Sequence, residues 1–117
     1  MGVTEITAEE LSEKRNANEE LRIIDVRTQA EFARGHLPGA ENIPISQLSA
    51  EASARNRDGA IVVICTSGNR SLRAARHLST HEGIDSVTSI ASVDGGYRDW
   101  EYELVVGGTN SERKPSA

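Results

Sequence analysis

The chain has few cysteines, prolines and aromatic residues. It contains one cysteine and three prolines in 117 residues, and phenylalanine, tyrosine and tryptophan together make up 3% of it. One cysteine excludes an internal disulfide and any zinc or redox motif that needs two cysteines, which is typical of proteins from a reducing compartment. The first residues, 1–6, lack the basic start and apolar segment of a signal peptide, so we expect a cytoplasmic protein.

A basic excess and a long apolar run are also absent. The net charge is −5, and a nucleic-acid or anionic-membrane surface would instead show a basic face. No apolar run approaches the length needed to cross a bilayer. We therefore expect neither a nucleic-acid partner nor a membrane partner.

Helix signals alternate with apolar runs along the chain. Thr7 with Glu10, and Thr28 with Glu31, form capping boxes that predict two helix starts, the first preceded by the apolar Ile6. The other elements expected are a strand over 21–26, a helix ending near Gly35, an extended piece over 41–43, a helix from Ser46 to about Ala54, a polar turn over 55–59, a strand over 60–64, a helix from about 70 to 82 closed by Gly83, a strand near 86–90, a turn at 94–96, a short helix over 97–101 and an extended segment over 104–106.

This alternation predicts an α/β fold. Strands separated by helices of about a dozen residues form crossover units, so we expect a central, mostly parallel sheet with helices on both faces. The length fits one domain, which we place at residues 1–106. The polar tail over 107–117 has nothing to bury and is expected to be disordered. Ligands of such sheets bind beyond the carboxyl ends of the strands.

Cys65 lies at such a strand end. It follows the apolar run 60–64, and helical spacing begins near Ser71, so the segment between them is a strand-to-helix turn. Backbone amides, the positive end of the helix and the guanidinium of Arg70 favour an anion on the sulfur. A lone cysteine is more often a small buried apolar residue, but strand, Gly68, Arg70 and helix in this order favour a reactive thiol.

Other polar candidates have simpler structural explanations. Asp25 and Arg27 follow a strand and are expected to anchor a neighbouring loop. Glu31 is explained as the capping partner of Thr28. His36 lies in a turn rich in glycine and proline, where we expect it to form a loop hydrogen bond.

The remaining candidates do not indicate a cofactor. His77 and His81 have the spacing of metal ligands on a helix, but no third ligand lies nearby, so we expect no metal and no other cofactor. Trp100 is expected to pack in the core or at its edge. Gly95 and Gly96 are explained by a turn, although they would also suit a close approach to the Cys65 loop.

Four segments together resemble the single-domain rhodanese-type sulfurtransferases. The resemblance covers roughly residues 20–101. It implies an α/β fold and a thiol at Cys65 that accepts the outer sulfur of a donor such as thiosulfate, forming a persulfide. The matching segments are Ile24 to Arg27, Glu31 to Ala40 leading to Asn42, Ile43 and Pro44, Cys65 to Ser71, and Asp94 to Trp100.

The length of the Cys65 loop bears on the size of the group that it encloses. Four residues separate Cys65 from Arg70, one fewer than in cysteine phosphatases. The resemblance implies that the shorter loop encloses a single added sulfur instead of a phosphate. Arg70 is expected to be a charged neighbour or a contact for an anionic substrate. The backbone amides expected to hold the sulfur or persulfide are those of Thr66, Ser67, Gly68, Asn69, Arg70 and Ser71.

The chain offers no second thiol to remove the sulfur from Cys65. The expected partners are therefore a small sulfur donor, such as a thiosulfate-like anion, and an external acceptor: cyanide, a thiol or a protein. Thr66 and Ser67 are neutral where some thiosulfate-preferring relatives have basic residues. Ala91 to Val93 add slightly more chain before the double glycine than the family pattern has. The alternatives are a rhodanese-like binding or regulatory module without turnover, and an arsenate reductase or phosphatase on a related scaffold.

Overall fold

The protein contains a five-stranded parallel sheet with the order β1-β5-β4-β2-β3. The computed structural model describes residues 3–17, 21–48, 59–79 and 87–107. The sheet confirms the predicted α/β fold, with the expected strand over 60–64 at its centre. The strands are β1 (Val3–Ile6), β2 (Leu21–Asp25), β3 (Glu41–Asn42), β4 (Gly59–Ile64) and β5 (Val87–Val93).

Both predicted capping boxes are present. The Thr7 hydroxyl accepts from the Glu10 amide at 3.0 Å, and the Glu10 carboxylate accepts from the Thr7 amide at 2.8 Å. Thr28 and Glu31 make the same reciprocal pair. The helices are α1 (Ala8–Asn16), α2 (Gln29–Arg34) and α3 (Asn69–Ser79), with short 3-10 turns at Ile45–Gln47 and Gly96–Asp99.

Alternation along β4 builds two apolar layers. Ile61 and Val63 pack with α3 on one face of the sheet, while Val62 and Ile64 pack with α1 and α2 on the other. Each face of a parallel strand is thus covered by helix, which explains why β4 reads as a continuous apolar run. None of the helices in the described ranges is long and apolar enough to span a membrane.

The sequence pattern does not predict β1. Val3–Ile6 pairs with β5 in parallel, with Ile6 opposite Val93. This pairing keeps β5 extended to Val93, beyond the expected end at Ile90. Ala91 to Val93 are therefore part of the strand and not additional loop before the double glycine.

Two turns also differ from expectation. Ser46 lies within the 3-10 turn Ile45–Gln47, whose N-cap is Pro44, and most of the helix that it was expected to cap lies outside the described residues. Trp100 directly follows the Gly96–Asp99 turn instead of lying within a helix, although it is buried as expected. The predictions for residues 49–58, for the end of α3 near Gly83, for His81 and for the tail from 108 fall outside the described residues.

The packing of the core predicts that truncating two different leucines lowers the free energy of unfolding by very different amounts. Leu11 of α1 is fully buried, whereas Leu104 is 45% exposed. Leu11→Ala should lower the free energy of unfolding by about 2–5 kcal/mol, because it leaves a cavity between α1 and the sheet. Leu104→Ala should cost less than about 1 kcal/mol. Urea denaturation measures both, and equal losses would contradict this assignment of the core.

Candidate active site

The carboxyl ends of three neighbouring strands bring Cys65 together with polar groups. Asp25 at the end of β2 lies opposite Ile64, and Val63 of β4 lies opposite Ser92 of β5. Cys65 therefore leaves the sheet between the ends of β2 and β5. This is the edge at which parallel sheets bind ligands.

The sulfur of Cys65 is held by the loop that it opens. The amides of Gly68 and Ser71 donate to Sγ at 3.1 and 3.2 Å. Gly68 has φ +99°, a left-handed conformation that suits glycine and turns the chain back towards the sulfur. The predicted cradle of backbone donors thus has a direct counterpart at these two amides.

The Ser71 hydroxyl adds a second type of donor beside the amides. It is buried, donates to the Gly68 carbonyl at 3.1 Å, lies 2.8 Å from the Ser92 hydroxyl, and contributes to the lowered pKa of Cys65. Because a hydroxyl rotates to suit its acceptors, its single proton serves either the carbonyl or the sulfur. Ser92 can then supply the hydrogen bond that Ser71 accepts.

These donors determine the protonation of Cys65. Burial opposes ionisation of the thiol, but hydrogen bonds from the Ser71 hydroxyl and from the amides of Ser71, Gly68 and Ser67 outweigh it, so the pKa of Cys65 is lowered. A thiolate is the nucleophilic form of cysteine. The loop therefore favours a nucleophilic sulfur on a residue that is only 1% exposed.

The double glycine supports the loop from the other side. The amide of Tyr97 donates to the Cys65 carbonyl at 2.9 Å, and that of Arg98 donates to the Thr66 carbonyl at 2.9 Å. Gly96 has φ +53°, and a Cβ there would overlap the Cys65 carbonyl. The suggested close approach of this turn to the Cys65 loop is confirmed.

Asp25 and Arg27 form a buried ion pair beside the loop. The Arg27 Nη2 lies 2.8 Å from an Asp25 carboxylate oxygen, the Arg27 amide also donates to Asp25, and the Tyr97 hydroxyl donates to it at 2.9 Å. Burial, above all, and the charge of Asp25 raise the pKa of Tyr97, so its hydroxyl remains protonated. Asn42 donates to the carbonyls of Asp25 and Arg27. The anchoring role predicted for the pair is confirmed.

Arg70 is already paired in this structure. Its two terminal nitrogens contact the two carboxylate oxygens of Glu31 at 3.0 and 3.1 Å, and Nη2 also lies 3.3 Å from the Thr66 hydroxyl. Sequence reasoning missed this role of Glu31, because capping of Thr28 already explained the carboxylate. Glu31 in fact does both.

The remaining predicted residues lie around the loop or near it. Thr66 and Asn69 are exposed, Ser67 is partly exposed, and Asn69 begins α3. His36 is buried, with Nδ1 2.7 Å from the Phe32 carbonyl, so its structural role is confirmed.

The fold and this loop define an α/β protein with a buried cysteine of lowered pKa at the end of its central parallel strand. The chain belongs to the rhodanese-like domain family, since the family model of that description matches residues 7–103. This confirms the resemblance noted from the sequence.

Curated relatives and solved structures agree with this assignment. The chain is 36% identical over 103 residues to the "Putative sulfurtransferase YtwF" of Bacillus subtilis, covering 88% of this chain and 95% of that protein. It is 35% identical to the "Putative sulfur carrier protein YrkF" of the same organism, covering 84% of this chain but about half (51%) of that relative. The crystal structure of a rhodanese-like domain protein from Staphylococcus aureus superposes with a TM-score of 0.77 at 29% identity, covering 90% of this chain and 99% of that one.

The Gly96 contact yields a matched pair of glycine substitutions. Gly96→Ala should destabilise the protein and raise the pKa of Cys65, because the added Cβ displaces the Cys65 carbonyl and disturbs the loop. Gly39→Ala is the control, since Gly39 also has a positive φ (+87°) but a Cβ added there would meet no other atom within 4 Å. Thermal unfolding and the pH dependence of Cys65 alkylation measure the effects. A Gly96→Ala protein that behaves like Gly39→Ala would contradict the described packing.

The Ser71 hydroxyl generates a second prediction for the thiol. Alkylation of Cys65 by iodoacetamide should follow a titration with a midpoint below that of free cysteine, and Ser71→Ala should move that midpoint to higher pH. Ser79→Ala on the same helix should leave it unchanged, because the Ser79 hydroxyl bonds the Arg76 carbonyl at 2.8 Å. A midpoint in the wild type equal to or above that of free cysteine would rule out stabilisation of the thiolate.

Proposed function

We propose that the protein is a sulfurtransferase that carries sulfane sulfur as a persulfide on Cys65. The observation that carries the proposal is the Sγ of Cys65, which accepts hydrogen bonds from the Gly68 and Ser71 amides within its own loop. Membership of the rhodanese-like family and relatives named as sulfurtransferase or sulfur carrier support the same activity.

The first half-reaction follows from nucleophilic catalysis. With thiosulfate as donor, the Cys65 thiolate attacks the outer sulfur, the bond between the two thiosulfate sulfurs breaks, and sulfite leaves with the bonding electron pair. The product is a Cys65 persulfide anion. The charge is again carried by sulfur, so donors arranged around Sγ are suited to both the thiolate and the persulfide.

The second half-reaction needs an acceptor from outside the chain. Cys65 is the only cysteine, so no internal thiol can take the outer sulfur. Cyanide would leave as thiocyanate and a thiolate would become a persulfide, in each case regenerating the Cys65 thiolate. We therefore propose a double displacement, with thiosulfate and cyanide as assay substrates and a thiol or a protein as the acceptor in the cell.

Cys65 carries the catalytic role in this proposal, and its loop binds the persulfide. The Gly68 and Ser71 amides would contact the inner sulfur, while the outer sulfur would face the rest of the turn. The residues proposed to surround it are Thr66, Ser67, Gly68, Asn69, Arg70 and Ser71.

Intact-protein mass spectrometry tests the proposal. After incubation with thiosulfate or an organic persulfide, the wild-type chain should gain the mass of one sulfur, and Cys65→Ser should gain none while remaining folded by circular dichroism. Ser substitution is conservative because the buried site already accepts hydrogen bonds at this position.

Two results would redirect the proposal. Uptake of sulfur by Cys65→Ser would remove Cys65 from the mechanism. No uptake by the wild type from either donor would favour a binding module without turnover, unless the protein hydrolyses phosphate esters or reduces arsenate, which would instead indicate the related phosphatase or reductase activity.

A further inference from the structure

The guanidinium of Arg70 lies 3.3 Å from the hydroxyl of Thr66, the residue after Cys65, and its charge is neutralised by Glu31. Its two terminal nitrogens contact the two oxygens of Glu31, one each, at 3.0 and 3.1 Å. Bidentate pairs of this kind are stronger and more specific in geometry than single contacts. Arg70, the charged residue of the Cys65 loop, is thus already engaged by a carboxylate.

Arg70 is close enough to the site for its charge to matter. Its pKa is raised chiefly by its hydrogen bond to Glu31 and additionally by the charges of Glu31, Cys65 and Asp25. Within the loop 65–71 Arg70 is the only charged residue. An approaching anion therefore meets either Arg70 together with Glu31, with a net charge of zero, or an unpaired group if one of them is removed.

Glu31 keeps its charge at all ordinary assay conditions. The hydrogen bond from Arg70, with help from Thr28 and against the effect of burial, lowers the pKa of Glu31 to about 2. A carboxylate with a lowered pKa remains ionised above that value, so pH cannot release Arg70 near neutrality. Only a change of residue can test the effect.

We propose that Glu31 is a specificity-determining residue: by neutralising Arg70 it selects against small inorganic anions such as thiosulfate and leaves organic persulfides as the favoured donor class. The form of an organic persulfide that a thiolate attacks is the neutral R–S–SH, which has no charge on its outer sulfur; any charges lie on the R group. Transfer from it breaks the bond between its two sulfurs, forms one from the outer sulfur to Cys65 with the proton staying on the transferred sulfur, and releases the thiolate RS⁻. This inference rests on the proposed function and names the substrate class of the same site.

Neutral neighbours support this assignment. Thr66 and Ser67, the two residues that follow Cys65, carry hydroxyls and no charge. The Thr66 hydroxyl lies 3.3 Å from Arg70 and adds a further neutral contact to the paired guanidinium. Nothing in the loop therefore replaces the positive charge that Glu31 cancels.

Capping alone does not explain Glu31, and α1 provides the comparison. Glu10 caps Thr7 as Glu31 caps Thr28, with the same reciprocal hydrogen bonds. Glutamine also serves at this capping position, so Glu→Gln removes the charge and retains the cap. Glu10→Gln is therefore the matched control for Glu31→Gln.

The test compares variants of different local charge by the rate at which Cys65 is alkylated. Iodoacetate and iodoacetamide have nearly the same shape, but iodoacetate carries one more negative charge. The rate with iodoacetate divided by the rate with iodoacetamide cancels differences in the thiolate fraction. Glu31→Gln should raise this ratio and Arg70→Gln should lower it, each on the order of three- to tenfold at low salt. The double variant and Glu10→Gln should both match the wild type.

The same variants should then be assayed with donors. Glu31→Gln should lower the KM for thiosulfate by a similar factor with little change in kcat, whereas freshly prepared 2-hydroxyethyl persulfide should be used at a nearly unchanged rate. High salt should reduce the differences in the alkylation ratio among the variants, because the Debye length falls to about 3 Å at 1 M.

The outcomes separate this inference from the proposed function. An alkylation ratio that does not respond to Glu31→Gln, or a double variant that does not return to the wild-type value, would overturn the role of Glu31. If all variants change the alkylation ratio as expected but the protein takes sulfur from no donor, the charge effect of Glu31 stands and the proposed sulfur transfer is overturned.

Discussion

The hydrogen bonds from the Gly68 and Ser71 amides to the Cys65 sulfur impose the strictest constraint on this structure. They require a loop that turns back on its first residue, and Gly68 provides the conformation for that turn. The loop must also be held from outside, and the backbone of Gly96 and Tyr97 fills that position. The order of the strands contributes to this support, since β5 adjoins β4 and brings the double glycine to the backbone of the Cys65 loop.

Charge around the site is arranged in pairs. Asp25 is buried with Arg27 beside the loop, and the partly exposed Glu31 is paired with Arg70 of the loop itself. The buried pair is tolerated because its carboxylate has a guanidinium partner and further hydrogen bonds. In an acidic chain of net charge −5, the thiolate is therefore favoured mainly by neutral donors rather than by an exposed basic patch.

Local sequence signals predict much of this site, but they miss contacts between residues that are far apart in the sequence. The cradle is predicted because strand, cysteine, glycine and helix follow one another directly. The ion pair joins Glu31 and Arg70, 39 residues apart, and the capping box conceals it because it already explains Glu31. The strand β1 is missed because its four residues carry no periodic apolar pattern, and only pairing with β5 makes them a strand. The domain limits stay a prediction.

In the proposed reaction Cys65 holds sulfur between two separate half-reactions. The most direct measurement is a single transfer from protein that has been loaded with sulfur and then freed of donor by gel filtration. Addition of cyanide should release one thiocyanate per chain and return the protein to its unmodified mass. Thiocyanate that forms only while free donor is present would contradict the account, because the sulfur would then never be carried by the protein.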